Sequence, residues 1–227
     1  MTARHLHGRV LSTSPSPISS ISSDEPLPTT TLPSPSPVPD RKIEITFVGP
    51  VDVTYEKVAL MVTELHQTDE FDAFVHVGVG RSGELRVEQR SRRVGYDKPG
   101  YDGRLCEIVD LESGTRGIKT WPMEGHKDEI RSKIDCDKLV KWLRSQMDVK
   151  HVLPSTDAGL YLCEYIYGMS LAQSILHTKS GDGRSPAPVL FVHVPTLKTD
   201  ANSDAFYTES EVSEILERVC WWVGSTV

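Results

Sequence analysis

Three residues of this 227-residue chain have the types needed for nucleophilic acyl chemistry: Cys163, His193 and Glu88. Cys163 follows a cluster of turn formers, Pro154 to Gly159, and lies near the start of an apolar run of helical length, Leu160 to Leu176. A thiol at a helix start meets free N–H groups and the positive end of the helix dipole. Both favour thiolate, which is the nucleophile, and the same N–H groups can hold a developing oxyanion. Taken alone, Cys163 reads more commonly as a small buried hydrophobe. A nucleophilic cysteine needs a base, and the base needs an orienting group. The best-placed base is His193, near the C-terminal end of Val189-Leu190-Phe191-Val192-His193-Val194, a short apolar run bounded by prolines that reads as a buried strand. Sites in open α/β sheets gather at such strand ends. Glu88, in Leu85-Arg86-Val87-Glu88-Gln89-Arg90, is the candidate orienter. Read singly, His193 is a hydrogen-bonded core histidine and Glu88 a solvated surface carboxylate.

The elements that must position these groups follow from periodicity. Lys42 to Val48 alternates with period two and predicts a strand, ended by Gly49-Pro50. Val53 to His66 carries apolar residues at helical spacing, and Ala73 to Val77 predicts a buried strand. Strand, helix, strand in this order points to an α/β domain. Gly78, Gly80 and Gly83 predict a loop in which backbone can come close to a substrate. It is not a dinucleotide fingerprint, because Glu84 to Glu88 looks extended and the glycine spacing differs. From Ser91 to Gly117 the chain predicts loop with a short strand at Cys106 to Leu111. Further on it predicts a helix over Leu139 to Met147, a short strand at His151 to Leu153, a polar loop at Lys179 to Ser185 and a closing helix over Ser203 to Trp222.

Composition narrows the class. The length suits one α/β domain plus a tail. Twenty-five Lys and Arg against 32 Asp and Glu give a net charge of −7 and a pI near 5.6, which argues against a nucleic-acid partner. No uninterrupted apolar run reaches the ~18 residues of a spanning helix, so no membrane partner is expected. Cys106, Cys136, Cys163 and Cys220 are widely separated, with no CxxC pair, which points to free thiols in a reducing, cytoplasmic setting. There is no HExxH, and His126 and His151 are too far apart for a local ligand pair, so no metal is expected.

The N-terminus differs in character. Residues 1–10 contain Arg4 and Arg9, and no acid precedes Asp24, a pattern shared by organellar transit segments and by plain unstructured tails. Between Leu11 and Pro39, 17 of 29 residues are Ser or Pro. The prolines remove backbone donors and the serines bury little apolar surface, so ordering entropy is not offset. Residues 1–40 are expected to be disordered and residues 41–227 to form the domain. The Pro spacing suits either a plain linker or a ligand for a polyproline-binding module.

Three segments together resemble the pyroglutamyl peptidase I (pyrrolidone carboxyl peptidase) family of cysteine peptidases. Thr156-Asp157-Ala158-Gly159-Leu160-Tyr161-Leu162-Cys163-Glu164 is similar to its cysteine motif and Phe191-Val192-His193-Val194-Pro195 to its histidine motif. Phe74-Val75-His76-Val77-Gly78-Val79-Gly80, followed by Glu88 and Gly95-Tyr96, is similar to its glutamate region. The resemblance implies a three-layer α/β/α sandwich with a mixed, largely parallel twisted sheet. It implies removal of N-terminal pyroglutamate from peptides without a cofactor, with Cys163 as nucleophile, His193 as acid and base, and Glu88 orienting His193. Gln89 and Ser91 depart from the glutamate motif and leave Glu84 as a second candidate. The family's opening strand and Gly-Phe-Gly-Pro-Phe loop have no counterpart here; Phe47-Val48-Gly49-Pro50 lies too close to Phe74 to be that element. The domain is therefore expected to be N-terminally truncated, with weakened substrate affinity and an uncovered sheet edge. A non-catalytic relative that binds peptides or proteins through the same cleft is the alternative function.

Overall fold

The computed structural model describes residues 10–12, 42–81, 83–178, 185–197 and 206–226. Its centre is β10 (Val189–Val194), in which all six residues are buried. Burial on both faces is what an uninterrupted apolar run bounded by prolines requires. β10 pairs in parallel with β3 (Phe74–Val79) and antiparallel with β4 (Leu85–Glu88), and β4 pairs in parallel with β9 (Val152–Ser155). The sheet order is thus β3-β10-β4-β9, mixed and mostly parallel.

Helices cover both faces. α1 (Tyr55–Gln67) and α3 (Leu162–Thr178) pack on the face of Val189 and Phe191, burying Tyr55, Val58 and Val62 against Leu162, Tyr165, Met169 and Ala172. α2 (Cys136–Met147) and α4 (Glu209–Gly224) pack on the face of Leu85, Val87, Leu190 and Val192, through Leu139, Leu143, Val212, Leu216 and Val219. Each such fully buried side chain contributes about 1.5–3 kcal/mol. The result is an α/β/α sandwich. Local signals set the helix ends. Thr54 and Asp135 accept the Lys57 and Lys138 amides as N-caps, and Thr208 forms a capping box with Glu211.

Several elements differ from the sequence reading. Only Lys42–Glu44 (β2) of the expected strand is laddered, and its partner is β1 (Val10–Ser12), antiparallel, outside the main sheet. The alternation of half-buried Ile43, Ile45 and Phe47 with exposed neighbours persists beyond the ladder, so the period reports a packed face and not a paired strand. β1 also lies inside the tract expected to be unstructured; Val10, Leu11 and Ser12 precede the first proline of that tract, Pro15, and keep the N–H groups a ladder needs. The remaining expectations for residues 1–40, and most of the Lys179 to Ser185 loop, lie outside the described residues. The region expected to be loop with one short strand holds strands of two small antiparallel ladders, β5 (Arg90–Arg92) with β8 (Glu129–Arg131) and β6 (Ile108–Asp110) with β7 (Thr115–Arg116). β9 runs through Pro154, which an edge strand tolerates because its outer N–H is not needed. Gly78 belongs to β3 and not to the following loop, for a reason that lies in the site.

Candidate active site

The chemistry-bearing side chains meet on the α1/α3 face, toward the C-terminal ends of β3 and β10. Across the sheet, His193 is opposite Gly78 of β3 and Arg86 of β4, and Phe191 is opposite Glu88. His193 and Glu88 therefore project from the same face, one pleat apart. His193 Nδ1 and Glu88 Oε1 are hydrogen bonded at 2.8 Å, with Glu88 fully buried and His193 8% exposed. The Glu88 main chain is held from two sides, its carbonyl accepting from Tyr167 Oη at 2.8 Å and from Cys136 Sγ at 3.6 Å. Cys163 is the second residue of α3, half-buried, and its side chain lies beside His193, whose pKa it helps to raise. The structure thus brings Cys163, His193 and Glu88 together. Glu84 lies instead 3.6 Å from Arg86.

Two glycines make room for this arrangement. A Cβ at Gly78 would sit 2.8 Å from the Phe191 ring and 3.1 Å from Cys163 Sγ; one at Gly80 would sit 2.8 Å from His193 Cβ. Glycine inside a strand marks close approach of this kind.

Electrostatics couples the three groups. Burial alone lowers the His193 pKa, but the hydrogen bonds to Cys163 and Glu88 and their charges outweigh it, and the pKa is pushed up to about 9. Glu88 Oε2 is buried without a hydrogen-bond partner among the described residues, so the bond from Oε1 to His193 is the one that fixes this carboxyl group. Two other histidines go the opposite way. Burial lowers His66, hydrogen bonded to Ser170 Oγ at 2.8 Å, to about 3 and His76 to about 4. The three together set a pH dependence of stability. A folded pKa raised above the ordinary 6.5 contributes stability that is complete below about 6.5 and is lost as pH rises through about 9. The lowered values contribute stability present above 6.5 and lost as pH falls toward 3 to 4. Urea midpoints measured from pH 4 to 10 are expected to peak near 6.5, with the alkaline decline shallower in His193→Ala; an alkaline limb unchanged by that substitution would count against the coupling.

The turn that delivers Cys163 is fixed by a pair that sequence reasoning does not find. Glu164 is 1% exposed and accepts four hydrogen bonds: the Arg92 amide at 3.0 Å, Arg92 Nε at 2.7 Å, Arg92 Nη2 at 2.7 Å and the Leu160 amide at 2.8 Å. Arg92 Nη2 also reaches Asp157 Oδ1 at 2.5 Å and holds that carboxyl below its usual range. The network ties β5 to both ends of the turn, across Gly159 (φ +102°) and Leu160 (φ +47°), where a left-handed leucine needs such restraint. One signal is present, since Glu164 is the only charged residue between Leu160 and Leu176. Nothing in Arg90-Ser91-Arg92-Arg93 singles out its partner. Arg92→Leu leaves the Glu164 carboxylate buried and unpaired and is expected to cost about 3–5 kcal/mol in urea unfolding.

A cavity of about 540 Å³ opens at the opposite end of β3 and β10, between His66, Phe74, Ser174 and Pro188, and none of the three clustered residues lines it. Among the described residues no group of three or more His, Cys, Asp or Glu is arranged to hold a metal ion, and no helix is long and apolar enough to cross a membrane.

Comparison with known proteins adds an independent line. No protein-family model matches the chain. The mouse and human proteins named pyroglutamyl-peptidase 1 are each 32% identical over 160 residues, covering 69% of this chain. The chain spans 65% of the length of these relatives. Among solved structures, the pyrrolidone carboxyl peptidase of Fervidobacterium islandicum aligns with a TM-score of 0.55 at 17% identity, over 76% of this chain and 82% of that one. A mutant pyrrolidone carboxyl peptidase from P. furiosus aligns at 0.56 and 18%, over 78% of this chain and 79% of that one. At such identity the solved structures speak for the fold, and the curated relatives speak for descent. Sequence and fold together make this chain similar to the pyroglutamyl peptidase I family.

Proposed function

We propose that the chain is a cysteine peptidase that removes pyroglutamate from the N-terminus of peptides, with Cys163 as nucleophile, His193 as acid and base, and Glu88 as the group that orients His193. The observation that carries this reading is the buried Glu88–His193 hydrogen bond at 2.8 Å on the face where the Cys163 sulfur stands against Gly78, the strand neighbour of His193. A positive imidazolium beside the sulfur stabilises the thiolate that attacks the pyroglutamyl carbonyl. The S–C bond forms as the carbonyl π pair moves onto oxygen, and unpaired N–H groups at a helix start such as that of α3 can receive that charge. Collapse of the tetrahedral species breaks the C–N bond, and His193 protonates the departing amine. The neutral imidazole then takes a proton from water, whose oxygen attacks the thioester, and the thiolate leaves to regenerate the pair. Glu88 keeps the imidazole in register and balances its charge through both steps.

Peptides with N-terminal pyroglutamate are the proposed substrates, residues 41–227 the proposed folded unit, and a reducing, cytoplasmic setting suits its free thiols. The test is hydrolysis of a pyroglutamyl amide beside the corresponding prolyl amide. Release from the first alone supports the reading. Release from neither, by folded protein, points to the non-catalytic peptide-binding alternative.

A further inference from the structure

We propose that Arg92 is a positioning residue for the nucleophile: by gripping Glu164 and Asp157 together it sets where the Cys163 turn stands relative to Glu88 and His193. This rests on the peptidase reading above. Connectivity gives the reason. Glu88 ends β4, the Gln89 amide donates to the Ser155 carbonyl at 2.8 Å, and β5 begins at Arg90. Arg92 therefore lies four residues beyond the orienting carboxylate, while its partner Glu164 is the residue next to Cys163. One side chain bridges the two halves of the site, β4 with β5 on one side and the turn with α3 on the other.

Two kinds of contact meet at this junction. The first is packing that does not involve the Arg92 side chain. Ser91 Oγ donates to the Glu164 carbonyl at 2.9 Å, Tyr96 Oη donates to the Arg92 carbonyl at 2.6 Å, and a Cβ at Gly168 would sit 2.5 Å from Ser91 Oγ. These contacts bring β5 onto α3. The second is the guanidinium fork. Nε and Nη2 each take one oxygen of Glu164 at 2.7 Å, and Nη2 also reaches Asp157. The two carboxylates in turn hold the amides ahead of the helix, Glu164 Oε2 accepting from Leu160 at 2.8 Å and Asp157 Oδ1 from Gly159 at 3.3 Å. Gly159 and Leu160 are the two positive-φ residues of the turn, so the place of the guanidinium fixes the shape that delivers Cys163. Charge acts in the same direction. An unanswered carboxylate at 1% exposure, one residue from the sulfur, would repel the negative charge that passes through the site, and the guanidinium cancels it.

The experiment compares the wild-type chain with Arg92→Lys and Asp157→Ala, using a pyroglutamyl amide at a temperature where circular dichroism shows the proteins folded. Lysine keeps the charge but cannot hold two carboxylates in a fixed fork. In Arg92→Lys kcat is expected to fall about 10- to 100-fold with KM within about twofold, because a displacement of about 1 Å at a reacting group costs that much. Iodoacetamide labelling of Cys163 should slow with it. Asp157 is 65% exposed, so Asp157→Ala should leave the urea midpoint nearly unchanged and still lower kcat about threefold or more. Wild-type kcat and labelling in Arg92→Lys would make the network merely structural, overturning the inference and leaving the peptidase reading standing. A loss carried by KM alone would make Arg92 a substrate contact and overturn it as well. Should Arg92→Lys fail to fold, Asp157→Ala decides, and wild-type kcat there overturns the inference. No hydrolysis by folded wild-type protein overturns both readings.

Discussion

Glu88→Gln is expected to lower kcat/KM for a pyroglutamyl amide by about 10²–10⁴, with most of the loss in kcat. Glutamine keeps the volume and an acceptor oxygen opposite His193 Nδ1 but removes the charge that helps raise its pKa to about 9. The imidazolium then loses its proton at lower pH, and the alkaline limb of the pH–rate profile should move down with it. Because Glu88 touches His193 and not the reacting atoms, this shift separates a positioning role from a merely structural one. A variant with wild-type kcat/KM and an unmoved limb would exclude Glu88 from the site. Glu88→Ala is the harsher change. It leaves a void at a fully buried position and strips His193 of its partner, so stability should be measured alongside.

The second large effect is expected in thiol reactivity. Burial raises Cys106 to about 11, Cys136 to about 12 and Cys220 to about 11, so these thiols stay protonated near neutrality and react slowly. Cys163 is half-buried, at a helix start, against an imidazole. At pH 7, iodoacetamide labelling followed by peptide mapping should therefore find Cys163 modified at least ~10-fold faster than the other three, and His193→Ala should remove most of that advantage. Labelling at the rate of an ordinary thiol with a pKa of about 8.5, indifferent to His193, would contradict a poised nucleophile.

Much of the framework is legible because it depends on local periodicity. The unbroken apolar run Val189 to Val194 requires a strand buried on both faces, and it is the centre of the sheet. The turn formers before Leu160 foretell a helix start at the cysteine, and α3 begins at Leu162. What stays hidden depends on partners distant in sequence. Arg90–Arg92 and Glu129–Arg131 are short, charged stretches with no pattern of their own, and they pair because the chain returns between them. Gly78 reads as a loop residue until Phe191 and Cys163 are seen pressed against it. The period-two pattern at Lys42 to Val48 marks a one-sided segment, yet it cannot reveal that the ladder ends at Glu44. Cys163, His193 and Glu88 stand out from their own segments, whereas the Arg92–Glu164 pair links residues 72 apart and only its carboxylate leaves a trace in the sequence.

The decisive experiment is release of a fluorogenic amine from its pyroglutamyl amide by purified protein, run beside Cys163→Ala with folding of both checked by circular dichroism. Turnover by the wild-type chain is expected, with a loss of about 10⁴-fold or more in the variant. Equal turnover by both proteins, or none by a wild-type chain shown to be folded, would contradict a Cys163-dependent peptidase.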